Sequence, residues 1–206
     1  MNTAAANRVE MIPGPVGQLE AAITEVGERQ QLAILCHPHS QYGGSMHDSV
    51  LGALSDACIN LGVSVLTFNF RSVGASEGRF AEGVGEIDDV LAVLKWASEH
   101  YPDAELTLGG YSFGAAMALL AAARSKQDLQ RLLLVAPPIQ MVESDAALVL
   151  PIKVILGGRD TIVSAAAAGQ YFKSEQIAVL PQADHFFANA AQDISDIVAS
   201  FFAETV

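Results

Sequence analysis

Leu106-Thr107-Leu108-Gly109-Gly110-Tyr111-Ser112-Phe113-Gly114-Ala115-Ala116-Met117 decides the reading of this chain. It reads as a β-strand, a turn too tight for ordinary side chains, and then a helix, with a serine at the apex. The pattern Gly-x-Ser-x-Gly runs from Gly110 to Gly114. Small residues flank the serine because strand and helix backbones nearly collide at such a turn. That geometry lifts a hydroxyl clear of the sheet and frees the next backbone N–H. A chain has little structural use for so strained a turn, so Ser112 is a candidate nucleophile.

The bare pattern recurs. Gly74-Ala75-Ser76-Glu77-Gly78 fits it equally well. It lies several residues beyond an apolar strand, and Gly83 and Gly85 follow before any helical spacing begins. Ser76 therefore reads as a turn serine. Ser112 alone has the strand before it and the helix after it.

Working outward, segments 8–12 and 18–26 read as antiparallel strands about Pro13-Gly14-Pro15. Apolar runs at 32–36, 63–70, 106–110, 132–136, 152–156 and 177–180 read as buried strands. Helical spacing occupies 46–60, 85–100, 113–124, 163–172 and 188–202. This alternation predicts an α/β fold, a mostly parallel, doubly wound sheet of about seven or eight strands with helices on both faces. At 206 residues the chain is expected to form one domain, spanning 1–206. The strands at 132–136 and 152–156 are joined by residues 137–151, too few for a separate lid. An open, shallow-walled site without a cap domain is expected.

Composition narrows the partners. Apolar residues make up 51% of the chain and charged ones 17%, which suits strands covered on both faces. A net charge of −12 argues against nucleic acid and anionic membranes. The longest apolar run, 115–123, falls far short of the roughly 20 residues needed to span a bilayer. Residues 1–8 lack a basic start followed by an apolar core, so no secretory signal is read. Cys36 and Cys58 both sit in apolar patterns and read as buried, reduced thiols, fitting a cytoplasmic protein. Cys36 precedes His37, which admits a thiol nucleophile, but a strand-interior Cys before His-Pro is expected to serve packing.

A serine hydroxyl needs a base, a group that orients the base, and donors for the developing oxyanion. After a strand-turn-helix nucleophile these partners follow in the order acid, then histidine. Asp160 follows the strand at 152–156, and His185 lies between the last strand and the last helix. Ser112, Asp160 and His185 would thus meet at the C-terminal edge of the sheet, where open α/β sheets bind ligands. Asp160 also reads as a helix cap. Glu143 or Asp145 is the alternative acid; Asp184 adjoins His185 too closely for an easy hydrogen bond. The loop opened by His37-Pro38-His39 faces the nucleophile turn. The backbone N–H groups of Phe113 and His39 are the expected oxyanion donors. The two histidines lack companion carboxylates or thiols, so no metal site is read from them. His47 and His100 read as helix-surface or helix-end residues. Arg71 and Arg159 follow strands, either as structural ion pairs or as attractors of an anionic substrate group. Phe186 and Phe187 suggest an apolar acyl pocket or simply core.

The chain resembles α/β-hydrolase fold serine hydrolases, in particular a small, capless bacterial group. That group carries a His-Pro-His-Pro…Gly-Gly loop and an Asn-Phe-Arg-Gly-Val-Gly-x-Ser-x-Gly segment. Here they stand as His37-Pro38-His39-Ser40…Gly43-Gly44 and Asn69-Phe70-Arg71-Ser72-Val73-Gly74-Ala75-Ser76-Glu77-Gly78. Ser40 and Ser72 depart from the group's Pro and Gly and bear on loop shape. The resemblance implies esterase-like acyl hydrolysis and does not fix the substrate. The expected protein is a carboxylesterase-type serine hydrolase of small-molecule esters or thioesters, without cofactor or metal. Peptidase or acyltransferase chemistry on the same residues, and a non-catalytic binding protein, stay open as alternatives. So does the oligomeric state.

Overall fold

The apolar runs become strands of one sheet. The computed structural model describes residues 6–27, 30–142 and 148–204. Its strands are β1 (Ala6–Gly14), β2 (Gly17–Glu25), β3 (Gln31–Cys36), β4 (Ser64–Phe68), β5 (Glu105–Tyr111), β6 (Leu129–Val135), β7 (Ile152–Gly157) and β8 (Ile177–Leu180). They lie in the order β1-β2-β4-β3-β5-β6-β7-β8. β2 pairs antiparallel with β1 and with β4, and every later neighbour is parallel. The helices are α1 (Ser49–Asn60), α2 (Val84–His100), α3 (Phe113–Arg124), α4 (Ala165–Tyr171) and α5 (Ala191–Ala203).

Topology fixes the layers. The chain leaves β3 through α1 to one side and returns through α2 to β5 on the other. Right-handed crossovers in opposite directions put α1 and α2 on opposite faces. α1 packs with α5, and α2 packs with α3. The central strands β3 and β5 are buried along nearly their whole length. Ala115, Ala116, Ala118 and Ala121 of α3 are fully buried, so this helix lies close against β5 and β6.

The reversal of direction at β3 opens a crevice at the strands' C-terminal ends. Cys36 is the register partner of Gly110, so the loop after β3 sits beside the turn after β5. The connection from β6 to β7 carries a short 3₁₀ turn, Ile139–Met141, and no cap domain. Among the described residues no helix is long and apolar enough to cross a membrane.

Several element ends differ from the sequence reading, each for a local reason. The helix expected from 46 begins at Ser49, because Asp48 caps it by accepting the N–H of Val50 and of Leu51. The strand expected over 63–70 ends at Phe68, and the N–H of Phe70 turns to the His37 ring. The helix expected from 163 begins at Ala165, capped by Ser164. The closing helix begins at Ala191, because Phe187 and Asn189 take left-handed φ of 52° and 63°.

Candidate active site

The turn after β5 leaves no room for side chains. A Cβ on Gly114 would lie 2.2 Å from the Cys36 carbonyl oxygen and 2.4 Å from that of His37. A Cβ on Gly110 would lie 2.6 Å from the carbonyl carbon of Gly114. The conformational strain falls on the serine between them, which has φ 52° and ψ −119°. Such a φ is sparsely populated by residues with a Cβ and survives only where the surroundings enforce it. Here the Ser112 N–H donates to the Val135 carbonyl at 2.8 Å, and α3 begins at the next residue.

Two loops bring partners to the hydroxyl. His185 Nε2 lies 3.1 Å from Ser112 Oγ. His185 Nδ1 lies 2.7 Å from Asp160 Oδ2. With the Nδ1–H donated to the carboxylate, Nε2 is left to accept from the serine O–H. The His185 and Asp160 side chains are buried, 8% and 1% exposed. Asp160 Oδ1 accepts the N–H of Ile162 at 2.7 Å and of Val163 at 2.8 Å. Asp160 thus braces the turn after β7 with one oxygen and meets His185 with the other, while the helix cap expected of it falls to Ser164, because the helix begins only at Ala165. Tyr111 adds a brace, its O–H donating to the His185 carbonyl at 2.8 Å. Burial, then the charges of Asp48, Asp160 and Asp184, push the Tyr111 phenol up, so it stays a donor.

The alternative acids Glu143 and Asp145 lie outside the described residues. Asp184 turns to its own loop and accepts the Phe186 N–H at 3.0 Å. The fully buried His37 donates from Nδ1 to the Pro38 carbonyl at 2.6 Å and accepts the Phe70 N–H at Nε2. Both its ring nitrogens are thus engaged by backbone. Burial lowers the His37 pKa to about 4, which keeps the ring neutral. His39 accepts the Gln41 N–H and packs its ring 4.8 Å from that of Phe113.

A pocket of about 660 Å³ opens over Ser112. His39, Phe113 and His185 line it, together with Tyr42, Asp48, Pro138, Met141, Ile162 and Phe186. Among the described residues neither the Phe113 nor the His39 N–H has a protein acceptor. Phe186 is exposed at the rim, whereas Phe187 is core, so only the first belongs to the pocket.

The arginines do not serve this cavity. Arg71 is buried and clamps Asp89 through Nε and an Nη at 2.9 and 2.7 Å; the same Nη meets the Gly85 carbonyl. Arg159 is exposed and outside the lining. Cys36 and Cys58 are free and buried; burial pushes both thiols up, Cys58 to about 12. Neither is therefore a thiolate near neutrality.

The model of a family described as the alpha/beta hydrolase fold matches residues 35–176, more than half of the chain. The chain belongs to the α/β hydrolase fold family. An alpha-beta serine hydrolase homologue from Coxiella burnetii is 33% identical, with a TM-score of 0.88 over 95% of this chain and 97% of that one. A serine hydrolase from Xanthomonas campestris, described as lacking a lid, is 35% identical, with a TM-score of 0.83 over 98% and 94% of the chains. An uncharacterized protein of Rickettsia prowazekii is 29% identical over 91% of this chain and 85% of its own.

Sequence reading of this α/β hydrolase missed Asp48, Tyr42, Met141 and the brace from Tyr111. Asp48 carried a signal: an aspartate just before a helix is a cap. Placing the helix start at Met46 hid it inside the helix. Tyr111 offered no comparable signal, because its partner lies 74 residues away.

Proposed function

We propose that this α/β hydrolase is a serine hydrolase that cleaves carboxylic esters or thioesters through an acyl-enzyme. The observation that carries the reading is the hydrogen-bonded chain from Ser112 Oγ through His185 to Asp160, opening on an uncapped, mostly apolar pocket. Ser112 Oγ attacks the acyl carbon while His185 Nε2 takes its proton. Asp160 holds the Nδ1 tautomer and stabilises the imidazolium that forms. The tetrahedral oxyanion is received by the N–H groups of Phe113 and His39. Each such donor contributes on the order of 3 kcal/mol at the transition state. His185 then gives its proton to the departing alcohol or thiol. A water, deprotonated by the same ring, releases the carboxylic acid and restores the serine.

A fluorophosphonate probe tests this reading. It is expected to label Ser112 in the folded protein, and Ser112→Ala is expected to abolish both labelling and hydrolysis of a short-chain aryl ester. A folded wild-type protein that neither labels nor turns over such an ester would overturn the proposal.

A further inference from the structure

Asp48 joins two structures that need not share a residue. Its Oδ1 accepts the N–H groups of Val50 and Leu51 at 2.8 and 3.3 Å, capping α1. The same side chain forms part of the pocket wall with Tyr111 and Ser112. Capping needs one oxygen, and Asn caps as well as Asp does. The cap therefore explains the position of Asp48 without requiring its charge.

Apart from the α1 N-terminus that it caps, the Asp48 charge meets no cationic side chain in the pocket wall among the described residues: no Lys or Arg belongs to the lining. Arg71 is committed to Asp89 and to the Gly85 carbonyl. Asp160, behind His185, adds a second carboxylate, and the chain as a whole carries −12. The remaining wall is aromatic and aliphatic, from Tyr42, Phe113, Pro138, Met141, Ile162 and Phe186. A cleft with one sign of charge and apolar walls focuses its field on whatever enters.

We propose that Asp48 selects substrates by charge. The site takes esters with apolar, uncharged or cationic arms. It disfavours anionic ones, including half-esters of dicarboxylic acids and thioesters of phosphate-bearing carriers. The inference rests on the hydrolase reading above. For a carboxylate in a pocket wall partly open to water, the discrimination is expected to be about tenfold at low salt.

Two matched substrate pairs test it, one on each side of the scissile bond. Nitrophenyl valerate is compared with the nitrophenyl half-ester of glutaric acid. Butyrylcholine is compared with its uncharged carbon isostere. Asp48→Asn keeps the capping oxygen, and its thermal unfolding is followed alongside. In the wild type, kcat/KM is expected to favour the neutral or cationic member, and added salt narrows the gap. In Asp48→Asn at least one ratio is expected to fall about fivefold and lose its salt dependence. Ratios unchanged by the substitution in both pairs would overturn the proposal.

A failure of the hydrolase reading is separately visible, as absent probe labelling and absent turnover. Calorimetry then reads the charge directly, with phenylbutyl-trimethylammonium against phenylvalerate on wild type and Asp48→Asn. Tighter binding of the cation that Asp48→Asn equalises supports the role. Equal binding of the two by the wild type rejects it.

Discussion

The chain writes Gly-x-Ser-x-Gly twice and folds it in two opposite ways. At 110–114 the glycines lie outside the left-handed region and are needed because backbone presses on them. The serine between them carries the unusual φ of 52°. At 74–78 the glycines carry the unusual conformations, φ 57° and 91°, and the serine does not. The hydroxyls follow suit. Ser76 is buried, donates to the Asn69 carbonyl at 2.7 Å and accepts the Glu20 N–H at 2.9 Å. Ser112 faces an imidazole in a pocket. A pentapeptide pattern therefore says nothing by itself; which residue bears the strain, and what receives the hydroxyl, separates a fastening from a reactive group.

The largest expected effect breaks the Ser112 side of this contrast without unfolding it. In Asp160→Asn the amide oxygen keeps the bonds to Ile162 and Val163, and the amide N–H faces His185 Nδ1. That forces the opposite tautomer, whose Nε2–H no longer accepts from Ser112. Turnover of an aryl ester should fall about ten-thousand-fold with little change in the denaturation midpoint. Asp160→Ala should lose as much turnover and about 1 kcal/mol of stability besides, because the turn N–H groups of Ile162 and Val163 lose their acceptor. Substantial activity in Asp160→Asn would remove this carboxylate from the mechanism and return attention to Glu143 and Asp145.

Ser112, Asp160 and His185 were legible because each stands at a strand's C-terminal end, a position that apolar runs mark in the sequence. The inner parallel strands were legible for the same reason, being buried on both faces, whereas the edge strand β8 is half-exposed. What escaped was fixed by distant partners or by a single oxygen. No metal was read from His37-Pro38-His39, but nothing local showed that His37 spends both ring nitrogens on backbone at Pro38 and Phe70. Arg71 was open to a substrate role until α2 supplied Asp89. Asp160 read as helix cap or acid; the helix starts later, at Ala165 under Ser164, and the second Asp160 oxygen instead braces the turn at Ile162 and Val163.

The glycines give the next contrast. Gly114→Ala drives a Cβ into the backbone carbonyls of Cys36 and His37, neither of which yields without moving β3. A loss of about 3 kcal/mol or more is expected, with turnover falling alongside. Gly78→Ala meets side chains alone, Val16 at 2.7 Å and Arg71 Cβ at an ordinary 3.4 Å, and the left-handed φ. It should cost about 1–2 kcal/mol and leave turnover per folded molecule intact. Urea unfolding of both variants checks the ranking, and equal losses would show that crowding at the elbow is relieved by small shifts.

Each turn also has its histidine. His185 receives Ser112, whereas His37 receives the N–H of Phe70, just ahead of the Ser76 loop. Burial lowers the His37 pKa from its ordinary 6.5 to about 4. The folded state thus binds this proton more weakly than the unfolded chain does. The stabilisation is complete above about pH 6.5 and is lost as pH falls toward 4, amounting to about 3 kcal/mol. His37→Phe should be less stable at pH 7, because the Phe70 N–H is left unpaired, but its stability should fall less steeply across that window. A pH series of urea midpoints compares the slopes; parallel slopes would assign the acid sensitivity to other groups.

The smallest effect tests the Ser76 side. Ser76→Ala strands two backbone groups, the buried Asn69 carbonyl and the part-buried Glu20 N–H, that tie the 69–78 loop to β2. Leaving such groups unsatisfied should cost about 2 kcal/mol. Neither group touches the pocket over Ser112, so kcat/KM per probe-titrated active site should stay within about twofold of wild type. Unfolding curves and active-site titration on the same preparation separate the two readouts. A variant as stable as wild type but slow in turnover would erase the distinction between the two serines, because Ser76 would then act on the chemistry rather than on the fold.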